Sequence, residues 1–325
     1  MPATASTTAA GDSDAVRLFV DRARLVQPAF LLDDRNVADV IGACRAVDGI
    51  PLGIELAAAR LATATPAELT DLLSDRLGTL VGGGRDIAHR QQTLRATIAW
   101  SHDLLTREQQ VLFRRLAVFA GAQCIAAIRD VCGFRPIEPD SVRDLVTQLV
   151  AKSVVWTRID GDVTTFGMLQ PVREFADERL RESAETDTAA ASHHALYARL
   201  AGELWQARRH HGARAEHQRL WREIDDVRVA LAASPDAVSY MEMATDLFWM
   251  WLQYAPNEGF RRLRDAFDRL PDPPRPLLAR AGRVLMACAG QIGDYSMFDL
   301  IVPRAEAAAA DAGDDFERGC HSLQL

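Results

Sequence analysis

Apolar residues recur at helical spacing along most of the chain. Val16, Phe19, Val20 and Ala23 mark a first helix, with Asp12 and Ser13 as candidate caps and an end before Pro28. A second helix is predicted from about Asn36 to Val47, stopping at the turn signal Asp48-Gly49. A third starts with Pro51 in its first turn and runs to about Ala62. Thr65-Pro66-Ala67-Glu68 combines an N-cap, a first-position proline and a capping-box glutamate, so it opens a fourth helix. Gly82-Gly83-Gly84 closes this unit as a plain loop.

From Gln92 to about Arg181 the pattern changes. Helical stretches around 93–104, 107–118, 123–132 and 140–151 lead into two β-rich runs, Ser153–Ile159 and Val163–Phe166, on either side of Asp160-Gly161-Asp162. A further helix is expected from about Val172. Helices feeding a hairpin predict a winged helix. Beyond residue 185 there is no strand signal, only amphipathic stretches near 189–210, 214–233, 237–254, 257–270, 276–292 and 295–312. Leu277–Ala312, with Gly293-Asp294-Tyr295 as its turn, has the proportions of a tetratricopeptide unit of roughly 34 residues. The predicted fold is mainly α: a disordered leader (1–11), a helical bundle (12–85), a winged helix with a short β-hairpin (88–182), and an incomplete tetratricopeptide-like α-solenoid (188–325).

Composition sharpens this only in part. The 325 residues are 48% hydrophobic and 25% charged, enough for two or three globular domains. The net charge of -8 argues against chain-wide attraction to nucleic acid, so DNA binding would need a local basic face. Five cysteines form no CxxC pair, which fits a reducing compartment. The first ten residues lack the basic start and apolar core of a signal peptide, and no uncharged apolar stretch is long enough to span a bilayer. A soluble cytoplasmic protein without a membrane partner is expected.

Gly49–Leu61, GIPLGIELAAARL, resembles the GLPLAIELAAARL segment of bacterial STAND regulators, NB-ARC-related ATPases found in AfsR-like and large LuxR-type transcription factors. Four other segments resemble the same family in the same order: Ser13–Ala23, Gln92–Leu105, Phe113–Gly121 and Leu169–Ala176. The resemblance implies an NB-ARC-type helical domain over 12–85, and a site at Gly49 and Pro51 where the proline ring packs on the adenine of a nucleotide. A rigid apolar ring at a helix start can cover a base without a hydrogen bond; the plainer alternative is that the two residues punctuate two helices. A phosphate loop of the form GxxxxGK[ST] needs a lysine, and the sole lysine, Lys152, follows Ala151. Met168-Leu169-Gln170 also stands where the family often has Met-His-Asp. The Gly49 and Pro51 site is therefore expected to be vestigial, with no cofactor, in a truncated or split member of the family.

The helix before the hairpin, Ser141–Lys152, would be the reader if the winged helix entered a major groove. Val142, Leu145, Val146, Leu149 and Val150 form its apolar stripe, leaving Arg143, Thr147, Gln148 and Lys152 as DNA candidates beside Asp144. That face is nearly balanced in charge, whereas groove readers present uncompensated basic residues; the resemblance implies a domain that acts as an internal arm against the ATPase core, so intramolecular packing is favoured over DNA reading. His193-His194, His210-His211 and His217 invite a metal, but adjacent helical residues diverge by about 100 degrees, so solvent-facing histidines and no metal are expected. The run Arg208-Arg209-His210-His211 reads as a solvated basic patch, and the cluster Phe248–Tyr254 reads as helix packing rather than a ligand groove. No nucleophile motif suggests an enzyme.

The expected function is a non-catalytic regulatory scaffold whose helical repeats bind a protein partner or small effector. Two alternatives are a DNA-binding regulator acting through the winged helix, and a nucleotide switch completed by a separate phosphate-loop subunit. Phe316–Leu325 begins what reads as another helix, which would leave the last repeat uncapped.

Overall fold

The computed structural model describes residues 13–77, 87–207 and 220–312. The expected leader (1–11), the Gly82-Gly83-Gly84 loop, the run 208–211, His217 and the segment 316–325 lie outside the described residues. The chain forms two compact units, one of Met1–Val118 with Ala122–Thr186, the other of Phe119–Gly121 with Asp187–Leu325.

The first unit opens with α1 (Asp14–Val26), α2 (Val37–Ala46), α3 (Pro51–Ala58, continued by a 3-10 turn to Ala62) and α4 (Pro66–Leu77). Phe19, Val20 and Ala23 of α1 share a core with Val40 and Ala43 of α2, Ile54 and Ala57 of α3, Leu61, Leu69 and Leu73, closed by Trp100. The run Ala57-Ala58-Ala59 is buried, because side chains that small let α3 lie close to its neighbours. The predicted capping box forms: Glu68 accepts from the Thr65 amide at 2.8 Å, and its own amide donates back to Thr65 Oγ1 at 3.3 Å.

The same unit continues through α5 (Ile87–Asp103), α6 (Arg107–Arg115), β1 (Gln123–Cys124), α7 (Ile125–Cys132), α8 (Val142–Ala151), the hairpin β2 (Trp156–Asp160) and β3 (Val163–Gly167), and α9 (Gln170–Arg181). The sheet is antiparallel in the order β1-β3-β2, with Thr157 opposite Phe166 and Gln123 also opposite Phe166. Helix, strand, two helices and a hairpin in this order make a winged helix. The hairpin was legible in the sequence; β1 was not, since two residues carry no periodicity and the pattern placed them inside a helix. Arg115, fully buried, closes this part, donating to the carbonyls of Cys132, Phe134 and Arg135 at 2.9, 2.6 and 2.8 Å and to Glu185 Oε1 at 2.6 Å.

The second unit is helical among its described residues: α10 (Thr186–Ala207), α11 (Ile224–Ala232), α12 (Ala237–Asp246), α13 (Phe248–Tyr254), α14 (Pro256–Arg269), α15 (Arg275–Ile292) and α16 (Phe298–Ala312). The stretch expected as one helix over 237–254 is two, divided at Leu247. From α12 onward each helix packs on its successors. Gly293, at φ +72°, ends α15 in the left-handed conformation that frees the chain to turn into α16. Gly282 lets the two helices meet: a Cβ there would lie 2.5 Å from that of Ala305. Among the described residues no helix is long and apolar enough to cross a membrane.

Candidate functional site

The loop between α2 and α3 holds two consecutive left-handed residues, Asp48 (φ 53°) and Gly49 (φ 65°). The Gly49 amide donates to Cys44 O at 2.9 Å and that of Ile50 to Val47 O at 3.0 Å, satisfying carbonyls at the end of α2. Thr93 Oγ1 donates to Asp48 Oδ2 at 2.7 Å, fastening the loop to α5. Pro51 occupies the first position of α3 with its ring exposed, and the space a Cβ on Gly49 would take is open. The two residues singled out in the sequence thus share one rigid, accessible turn, and its backbone alone explains the glycine and the proline.

In α8, Val142, Leu145, Val146 and Leu149 are buried as the periodicity requires, while Val150 is half-buried. Arg143, Asp144, Thr147 and Gln148 are exposed on the opposite face. Lys152 departs from that face. It is half-buried, and its ammonium donates to Gln109 Oε1 at 2.6 Å and to Leu104 O at 3.4 Å. Gln109 in turn donates to Gln148 Oε1 at 2.5 Å while completing the α6 capping box, where its oxygen accepts from the Thr106 amide at 3.0 Å. Gln148 and Lys152 are therefore engaged by another helix of the unit, and Thr147 Oγ1 donates to Arg143 O at 2.9 Å within its own helix. Arg143 is left beside Asp144, and the hairpin turn carries Asp160 and Asp162, both exposed, where a DNA-reading wing would meet phosphates. Burial holds the Lys152 ammonium below its usual range, and the charge of Arg60 lowers it further.

The adjacent histidines of α10 overturn an expectation. His193 and His194 are buried, not solvent-facing. His193 Nε2 lies 3.0 Å from Asp226 Oδ1, and His194 Nδ1 lies 2.9 Å from Ala230 O. Asp226 also accepts from the amides of Ala120 and Gly121 at 2.8 and 3.0 Å. The signal was present: His193 lies four residues from Ala189 and from Tyr197, both buried, so it shares their stripe. Among the described residues, no three His, Cys, Asp or Glu side chains converge as metal ligands. In the aromatic cluster Phe248, Met250 and Trp251 are core residues, with Trp251 Nε1 donating to Ala244 O at 2.8 Å; Trp249 remains 40% exposed.

One juxtaposition escaped sequence reasoning. Arg60, in the GIPLGIELAAARL segment, is buried and donates to Ser101 O at 2.9 Å near the end of α5, three residues before Leu104, whose carbonyl Lys152 reaches. Residues 92 apart in sequence cannot be paired by spacing.

No family model matches the chain. Over 245 residues, 73% of this chain, it is 42% identical to proteins of Mycobacterium tuberculosis and Mycobacterium bovis named "Putative HTH-type transcriptional regulator". Over 186 residues, 55% of this chain, it is 38% identical to an "Uncharacterized protein" of Mycobacterium tuberculosis. The chain spans 27% of the length of the first relatives and 46% of the second.

Proposed function

We propose that this chain is a non-catalytic regulatory module of a STAND-type transcription regulator, working in the cytoplasm through protein contacts. The observation that carries this reading is the state of α8. Its exposed face is close to neutral, Gln148 and Lys152 are engaged by Gln109, and the adjacent hairpin turn is acidic. Such a helix suits packing against protein better than a phosphate backbone. The regulatory half of the reading is supported by the relatives' name. The ordered family-like segments support the STAND assignment, with α1–α4 as the NB-ARC-type helical domain and the winged helix as an arm. In the second unit, α15, the Gly293 turn and α16 are read as one tetratricopeptide-like pair, and the helical array receives a protein partner or small effector. Pro51 stays a vestigial nucleotide platform.

Two measurements on the purified full chain test the reading. Gel shift with promoter DNA at low salt should show no complex, and calorimetry with ATP and ADP in magnesium buffer should show no binding heat. A salt-sensitive shift abolished by Arg143→Ala would replace the module with a DNA reader. Micromolar nucleotide binding lost in Pro51→Ser would replace it with a nucleotide switch.

A further inference from the structure

Strand β2 stands at an edge of the sheet, with β3 on one side only. Asp160 opposite Val163 closes the hairpin over Gly161-Asp162, with Gly161 at φ +58°. Asp160 and, by alternation, Arg158 and Trp156 therefore turn their backbone N–H and C=O groups to β3, while those of Thr157 and Ile159 turn outward. An outward row of this kind is a template for another strand unless the sequence blocks it.

The side chains along this edge fit a copy of themselves. Thr157, Arg158, Ile159 and Asp160 are all exposed, and Ile159, at 73%, is the most exposed large apolar side chain among the described residues. Arg158 and Asp160 flank it with opposite charges and make no ion pair among the described residues; the Arg158 guanidinium lies 5.7 Å from the centre of the Trp156 ring. Charges of one sign would repel a second copy, but a cation and an anion two positions apart attract it. With two such strands antiparallel about a two-fold axis at Ile159, each Ile159 faces its copy and exchanges both backbone hydrogen bonds with it, and each Arg158 stands opposite an Asp160. An axis at Arg158 or at Asp160 would instead set like charges opposite each other, which is destabilising. An axis at Thr157 would move Arg158 onto Trp156 and Ile159 onto Val155, which is buried. Charge and burial thus leave one register.

We propose that β2 pairs with β2 of a second copy of this chain, antiparallel and centred on Ile159, joining the two three-stranded sheets into one. The contact is two-fold and closed, so it is complete with two copies. It covers the apolar side chain and the unpaired backbone groups of the edge together, and it does not depend on the function proposed above. One short strand pair makes a small interface, so the dimer is weak and its population follows concentration.

Sedimentation equilibrium of the purified full chain, at concentrations up to about 1 mM, tests this. A monomer–dimer equilibrium is expected. Arg158→Asp and Asp160→Arg each set like charges opposite one another and should weaken the dimer about tenfold or more. Combining the two substitutions exchanges the charges, makes the strands complementary again and should return the dimer to within about threefold of the parent. Ile159→Lys should abolish it, with Ile159→Thr as the substitute if the lysine variant does not fold. Leu300→Lys, which changes an exposed leucine of α16, should leave it unchanged. A monomer at every concentration would overturn the proposal. So would a dimer that the charge exchange fails to restore, or one lost in Leu300→Lys but indifferent to Ile159→Lys.

Discussion

Single residues carry unequal weight in this chain, and burial decides which ones matter. Arg115 is fully buried and Glu185 is the carboxylate that meets it: removing Glu185 leaves the guanidinium charge in the interior with only backbone carbonyls to answer it, which costs about 3–5 kcal/mol and should appear as a large drop in the thermal midpoint of Glu185→Ala. Burial pushes the Glu185 carboxyl up, but hydrogen bonds from Arg115 and Arg114 and their charges outweigh it and hold the group below its ordinary value. A carboxylate depressed on folding contributes stability that is present above its unfolded pKa, near 4.5, and lost as pH falls through its folded value. Acid unfolding of Glu185→Gln followed by circular dichroism should accordingly show a weaker pH dependence below about 4.5 than the parent chain. In the second unit, Asp226 accepts from two backbone amides and lies against His193. Asp226→Ala should be among the most destabilising substitutions there, since the buried His193 and two part-buried backbone amides lose their partner at once.

At the level of elements, caps and close approaches set the tolerances. Thr106 opens α6 through a reciprocal box with Gln109, and the same Gln109 holds Lys152 and Gln148 at α8. Thr106→Ala should cost about 1 kcal/mol, whereas Gln109→Ala should cost more in urea melts because it releases two further side chains. A result with the two equal would mean that the link to α8 contributes nothing. The α15–α16 pair has its own weak point. Gly282→Ala places a methyl 2.5 Å from Ala305 Cβ and should cost about 1–3 kcal/mol through overpacking, while Gly290→Ala on the same helix, where the space is open, should be neutral or stabilising.

Across the whole molecule, what could be read beforehand and what could not follow from the range of the interactions involved. Periodicity, caps and turn residues act within a few positions, so α1–α4, the Asp160-Gly161-Asp162 hairpin and the Gly293 turn were legible residue by residue, as was the buried stripe of α8. The strand β1 was hidden because its two residues take their conformation from β3, some 40 positions away. The break at Leu247 was hidden because both flanking stretches are helical and only packing divides them. Gly49 and Pro51 could be singled out from the sequence, and backbone geometry brings them into one accessible turn. Of the four α8 residues, the sequence placed all on one face, but tertiary contacts withdrew Lys152 and engaged Gln148. His193 and His194 illustrate the same division: their helical phase was written in the chain, yet their burial depended on Asp226 and Ala230 arriving from another helix. The sequence by itself determined where helices start, stop and turn their apolar faces, since those choices are local. Only the tertiary structure decided which charges meet which partners, as Arg115 meets Glu185 and Lys152 meets Gln109, since Coulomb energies depend on distances that sequence separation does not encode.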